Sequence, residues 1–170
     1  MLKPRTLILA GIVVIAVLTR FLPLPPNVAP IAAMALFGGA YFADKRLALL
    51  IPLAAMLVSD LILGLHGTLL FVYVSFAAIV GLGMLVGKNI TPLNVGTAAI
   101  SGSLLFFVVT NFGVWLTSPF YPLTLEGLIT CFTLAIPFFH YTLLGDAIFV
   151  TILFGGFEWA RHRFPALQAA

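Results

Sequence analysis

Pro137-Phe-Phe-His140-Tyr141-Thr-Leu-Leu-Gly145-Asp146 is the stretch on which the fold turns. It sets His140 and Asp146 at the mouth of an apolar run that continues to Phe157. A carboxylate in such a run is costly in lipid, so it must face protein or water and find a partner. That partner must lie at the depth of Asp146.

The surrounding composition decides the environment. Of 170 residues, 62% are hydrophobic and 8% charged, with a mean hydropathy of +1.21. A water-soluble domain carries about 25% charged residues. The composition predicts one polytopic, all-α membrane domain over residues 1–170, with the lipid bilayer as its first partner and no separate soluble domain. The formal charge of +3 gives no reason to expect nucleic acid, because the basic residues sit in short loops. Lys3 and Arg5 before the run Thr6–Thr19 resemble a signal peptide. No small-x-small cleavage site follows, so this run reads as an uncleaved span. The lone Cys131 excludes an internal disulfide and a cysteine-based metal cluster.

Apolar runs predict six spans, at about 6–22, 28–42, 47–65, 68–86, 97–117 and 140–157. The first is followed by the stiff connector Pro23-Leu-Pro25-Pro26-Asn27. The second is rich in alanine and glycine, a surface that lets another helix approach closely. The connector 118–139 holds an apolar patch, Leu128–Ile136, with Pro137 behind it. It reads as a short re-entrant or interfacial helix before the last span. Lys3, Arg5, Lys45, Arg46, Lys88, Arg161 and Arg163 fall on one side and Arg20 alone on the other half. That bias places both termini in the cytoplasm.

Counting helical rise of about 1.5 Å per residue brings Arg20, Asp60, Asn111 and Asp146 to one level in the outer third of the bilayer. Tyr73 and Ser75 reach the same level. His66, Tyr121, Glu126, His140 and Tyr141 lie just above, and the inner two-thirds hold almost nothing ionisable. A channel or proton relay needs polar groups along its whole path; a polar layer sealed beneath by apolar packing reads as an outward-facing receptor. The competing reading is a structural ion pair of Arg20 with Asp60 or Asp146, plus an ordinary aromatic belt. No metal-ligand spacing, nucleophile elbow or phosphate loop is present, so neither catalysis nor a resident cofactor is expected.

Four segments carry a resemblance: Val28–Tyr41, Pro52–Gly64, Asn111-Phe-Gly-Val-Trp115, and Thr142–Asp146 with Leu153-Phe-Gly-Gly156. They are similar to a family of uncharacterised small bacterial membrane proteins grouped with the substrate-binding (S) components of energy-coupling factor (ECF) vitamin transporters. The resemblance implies a six-helix bundle in the bacterial inner membrane that takes up a small, vitamin-like organic nutrient. The connectors after span 1 and before span 6 would cover its site. The substrate would rest on Arg20, Asp60, Tyr73, Asn111 and Asp146 under a lid holding Tyr121, Glu126 and His140. It also implies an ECF-type coupling subunit and ATPases, although the Ala-x-x-x-Ala docking pair usual on span 1 is missing here. A solitary relative takes up cobalamin through a cysteine ligand; Cys131 or His140 would be the cobalt ligand if that chemistry applied here. The alternatives are a non-catalytic structural or accessory subunit of a larger membrane complex and, third, an enzyme using His140 or Cys131.

Overall fold

The computed structural model describes residues 4–25 and 27–167, without the side chain of Ala166. Lys3 of the charge count and Pro26 of the connector lie outside the described residues. Those residues are 82% helical and contain no strand. The helices are α1 (Pro4–Leu18, prolonged by a 3₁₀ turn Thr19–Phe21), α2 (Ile31–Tyr41), α3 (Lys45–Leu63), α4 (Leu69–Val86), α5 (Pro92–Thr117) and α6 (Leu125–Val150). A π-helical stretch, Thr151–Gly155, joins α6 without a break to α7 (Gly156–Arg163).

Local chemistry sets these boundaries. The Asp44 carboxylate accepts the Arg46 amide at 2.8 Å and starts α3; Gly64, at φ +107°, ends it. Thr91 accepts from the Asn94 amide and places Pro92 in the first turn of α5, where its missing N–H costs nothing. Thr124 accepts from the Gly127 amide and starts α6.

That last cap overturns the sixth span and the re-entrant helix. Helix runs unbroken from Leu125 through Arg163, with Pro137 inside it. A proline in a helix removes one backbone hydrogen bond and crowds the preceding turn, which neighbouring helices can offset in an apolar bundle. The connector shrinks from 118–139 to 118–124, and residues 125–139 cannot act as a loop lid. Span 5 begins five residues earlier than expected, at Pro92. Span 2 shortens to eleven residues.

Among the described residues, five helices are long and apolar enough to cross a membrane: Pro4–Phe21, Lys45–Leu63, Leu69–Val86, Pro92–Thr117 and Leu125–Arg163. Their outward faces carry exposed large apolar side chains, among them Leu61, Ile62, Leu104 and Ile129. Helix α2 is too short for that test, and nine of its residues are buried. It forms the centre of the bundle. Gly39 and Gly83 bring the backbones of α2 and α4 together, Gly38 faces Pro52 of α3, and Phe37 packs edge-on against Phe154 and Phe157 at 5.5 Å.

One end of the bundle is basic. There the Tyr41 hydroxyl donates to Glu158 at 2.5 Å, Arg161 pairs with Glu158 at 2.7 Å, and Arg5 reaches the Tyr41 carbonyl at 3.4 Å. The opposite, far end carries Arg20, the 22–30 connector and the α5–α6 loop.

Candidate functional site

The expected polar layer separates into two groups on opposite sides of α2. In the first, a guanidinium nitrogen of Arg20 pairs with Asp60 Oδ1 at 2.7 Å. The Tyr73 hydroxyl donates to Asp60 Oδ2 at 2.9 Å. Arg20 also donates to the Ser59 hydroxyl, which in turn donates to the Met56 carbonyl. The structure thus joins Arg20, Asp60 and Tyr73 across α1, α3 and α4, and both oxygens of Asp60 have a partner. Asp60 is 2% exposed and Arg20 13%. Ser75, expected at the same level, donates to the Phe71 carbonyl of its own helix.

The second group is built by α5 and α6. Asp146, 4% exposed, accepts at Oδ2 from Ser103 at 2.6 Å; among the described residues, its other oxygen accepts nothing. The Ser103 hydroxyl lies 2.9 Å from the Ala99 carbonyl as well, and its single proton serves one acceptor at a time. Arg20 therefore pairs with Asp60, and the partner of Asp146 is a neutral hydroxyl.

Above Asp146, toward the far end, lies a cavity of about 390 Å³. Phe106, Phe107, Phe138 and Phe139 wall it, and Asn27 and Ala29 of the 22–30 connector border it. Thr142, one turn above Asp146, and Thr110 and Asn111, about two turns above Ser103, supply the other polar atoms of its wall. The Asn111 amide donates to the Phe107 carbonyl at 2.7 Å, and the Thr110 hydroxyl donates to the Phe106 carbonyl. Ligand pockets commonly have this character, apolar walls with a few polar groups in a volume of about 300–1,000 Å³.

A model of the family described as "Family of unknown function (DUF6580)" matches residues 1–167. The chain belongs to that family. No curated protein and no solved structure matches it.

The remaining sites expected in this DUF6580 chain lie apart from the cavity. Glu126 is exposed in the first turn of α6, where a carboxylate suits the helix dipole. Tyr121 is half-buried in the α5–α6 loop. His140 is exposed, with its ring 4.1 Å from that of Tyr141. Cys131 is buried against α5, 3.5 Å from the Asn111 carbonyl. Nine residues of helix put it about 13 Å along the axis from His140. Among the described residues, no cluster of three His, Cys, Asp or Glu side chains could hold a metal. Cys131→Ser should leave the fold and the cavity intact, with a stability in thermal unfolding within about 1 kcal/mol of the parent, because a hydroxyl can replace the thiol toward the same carbonyl.

Ser103 and the phenylalanines were absent from the expected site, yet the spacing holds them. Residues 103, 106, 107, 110, 111 and 114 form one helical stripe, as do 135, 138, 139, 142 and 146. His140 and Tyr141 fall off the second stripe.

Proposed function

We propose that this chain is an integral membrane protein of the bacterial inner membrane that binds a small organic nutrient, vitamin-like in size, from outside and delivers it for uptake. In this reading α2 completes six spans, both termini are cytoplasmic and the far end faces outward. The short α2 is admissible because backbone at membrane depth can be irregular where protein surrounds it. The basic end agrees with the cytoplasmic assignment.

One observation carries the reading. The aromatic cavity ends on a buried carboxylate that has a single neutral partner, whereas the only other buried carboxylate among the described residues, Asp60, is matched on both oxygens. A buried carboxylate in that state stands ready for a ligand. Phenylalanine faces would hold a ring, and Asp146 would fix its polar end. Arg20, Asp60 and Tyr73 brace the bundle beside the site in this reading. The resemblance to S components favours the same function, and would add a coupling subunit and ATPases as partners.

Native mass spectrometry of the detergent-purified chain tests it. A retained small molecule is expected, with affinity weakened about tenfold or more by Asp146→Asn, the scale of one charge-assisted hydrogen bond. Phe107→Ala should weaken it as well. A fixed partner chain with no small molecule would instead establish the structural or accessory subunit. The self-contained Arg20–Asp60–Tyr73 group is the observation that favours that second reading.

A further inference from the structure

Asp146 is reached from two directions. Below it, toward the basic end, a second crevice of about 560 Å³ runs between α5 and α6. Its lining starts at Ile90–Pro92 in the α4–α5 turn, passes Ala99 and Val150, and ends at Ser103 and Asp146. Asp146 is the one residue lining both this crevice and the aromatic cavity above. Above the Ser103–Asp146 hydrogen bond the two helices touch again, Cys131 against the Asn111 carbonyl and Phe107 against Phe132 and Phe139, so that bond lies at the level where the crevice and the cavity meet. Beside the crevice the helix that carries Asp146 turns π-helical over Thr151–Gly155, and Thr151, Phe154 and Gly155 face the crevice. Such a stretch holds its backbone by i→i+5 bonds and marks functional sites in many helices.

The walls define the charge of a passenger. Neither lining contains a lysine, arginine or histidine. The inner crevice adds one more acid, Glu158, already matched by Tyr41 and Arg161. In the outer cavity the Thr110 hydroxyl and one Asn111 N–H go to backbone carbonyls, which leaves acceptor lone pairs on both side chains and the second Asn111 N–H. Asp146 presents a second acceptor. With a buried carboxylate and no basic residue in either lining, a ligand that brings positive charge matches the site, and the four phenylalanine rings are suited to a cation over their faces.

Building on the binding function proposed above, we infer that the ligand is an organic ammonium ion with an aromatic or apolar body, and that it passes through the α5–α6 seam by exchanging places with Ser103 at Asp146. The chain then carries its ligand downhill by itself. Movement consists of breaking the Ser103–Asp146 bond, seating the cation on the carboxylate and releasing it into the opposite crevice, where the bond reforms.

Full-length protein in proteoliposomes tests this with radiolabelled benzyltrimethylammonium, whose fixed charge keeps it from crossing lipid unaided. Occupancy of the outer cavity is read separately, as protection of Thr142→Cys from maleimide in a Cys131→Ser background. Benzyl alcohol and phenylacetate serve as neutral and anionic comparisons. Saturable uptake above protein-free vesicles is expected, lowered at least tenfold by Asp146→Asn at an unchanged thermal midpoint. Protection by the cation without uptake would overturn the passage and leave the binding function standing. Protection by benzyl alcohol or phenylacetate and not by the cation would overturn the charge class alone. Uptake untouched by Asp146→Asn would remove Asp146 from the route. Protection by none of the three would overturn both this inference and the binding function beneath it.

Discussion

Asp60→Ala is expected to lower the stability of the purified protein by about 3–5 kcal/mol, the cost of leaving one member of a buried ion pair without its partner. The substitution strands the Arg20 guanidinium, which is largely buried and keeps only the Ser59 hydroxyl and the weakly accepting Met56 sulfur, 3.4 Å away. The Tyr73 hydroxyl loses its acceptor at the same time. Arg20→Met should be destabilising for the converse reason, since Asp60 would keep Tyr73 alone. The double variant Arg20→Met, Asp60→Leu should recover most of the loss, because apolar residues of similar volume replace a buried pair at little net cost. Thermal unfolding in detergent measures all three. Ligand affinity in the double variant separates a brace from a binding site. A brace predicts affinity within about twofold of the parent once the fold is restored, whereas direct contact with substrate predicts a loss of about tenfold or more. Failure of the double variant to regain stability would mean that the pair orders α1 and α3 in a way that shape alone cannot replace.

Position along a helix was legible from the sequence only where the helix bounds were right, and rotation about the bundle was not legible: α6 starts at Leu125, so Asp146 lies deeper than a span starting at residue 140 would put it. Counting rise along each helix set Arg20, Asp60, Tyr73, Asn111 and Asp146 at one level and left both Asp60 and Asp146 open as the partner of Arg20; the structure pairs Arg20 with Asp60 and bonds Asp146 to Ser103, eight residues and about 12 Å of helix below Asn111. Rise is a single coordinate. It does not tell which helices are neighbours, so it merged two groups that the buried α2 holds apart. Asp146 was found because a carboxylate is costly in an apolar run; its partner Ser103 was overlooked because a serine is not. The stripe through 103, 107 and 111 was available in the spacing. Reading Pro137 as a helix stop hid the matching stripe on α6, because it moved residues 125–139 into a connector and placed His140 at a pocket mouth. Proline removes one hydrogen bond from a helix, and in an apolar bundle that loss is local. The caps at Asp44, Thr91 and Thr124 rest on short side-chain bonds to the next turn, and of these Thr124 would have corrected the last span.

Gly83→Leu is expected to prevent folding altogether, and Gly83→Ala to destabilise by more than the usual about 1–3 kcal/mol of an overpacked core. A Cβ at Gly83 would sit 2.2 Å from the Leu36 carbonyl oxygen and 3.0 Å from the Gly39 Cα. Both are backbone atoms, so no side-chain rotation relieves the contact. Relief requires α2 to move by about an ångström, and α2 has nowhere to go. On its other faces Phe37 is set against Phe154 and Phe157, and Gly38 meets Pro52, where an added Cβ would lie 2.9 Å from the ring. Gly39→Ala should fail in the same way, its Cβ falling 2.1 Å from the Val80 carbonyl oxygen. Gly81 is the internal control, two residues away on the same helix with nothing within 4 Å of an added Cβ. Gly81→Ala should be neutral or stabilising by up to about 1 kcal/mol, the helix preference of alanine over glycine. Size-exclusion profiles and thermal midpoints of the three alanine variants decide the matter. Equal behaviour of Gly81→Ala and Gly83→Ala would show that the α2–α4 contact is looser than its geometry requires. The contact also sets the site: α2 carries Ile31 and Ala32 to the wall of the aromatic cavity, so a displaced α2 would open the cavity beside Asp146. Any Gly83 variant that still folds should therefore lose ligand in proportion to its loss of stability, while Gly81→Ala keeps both.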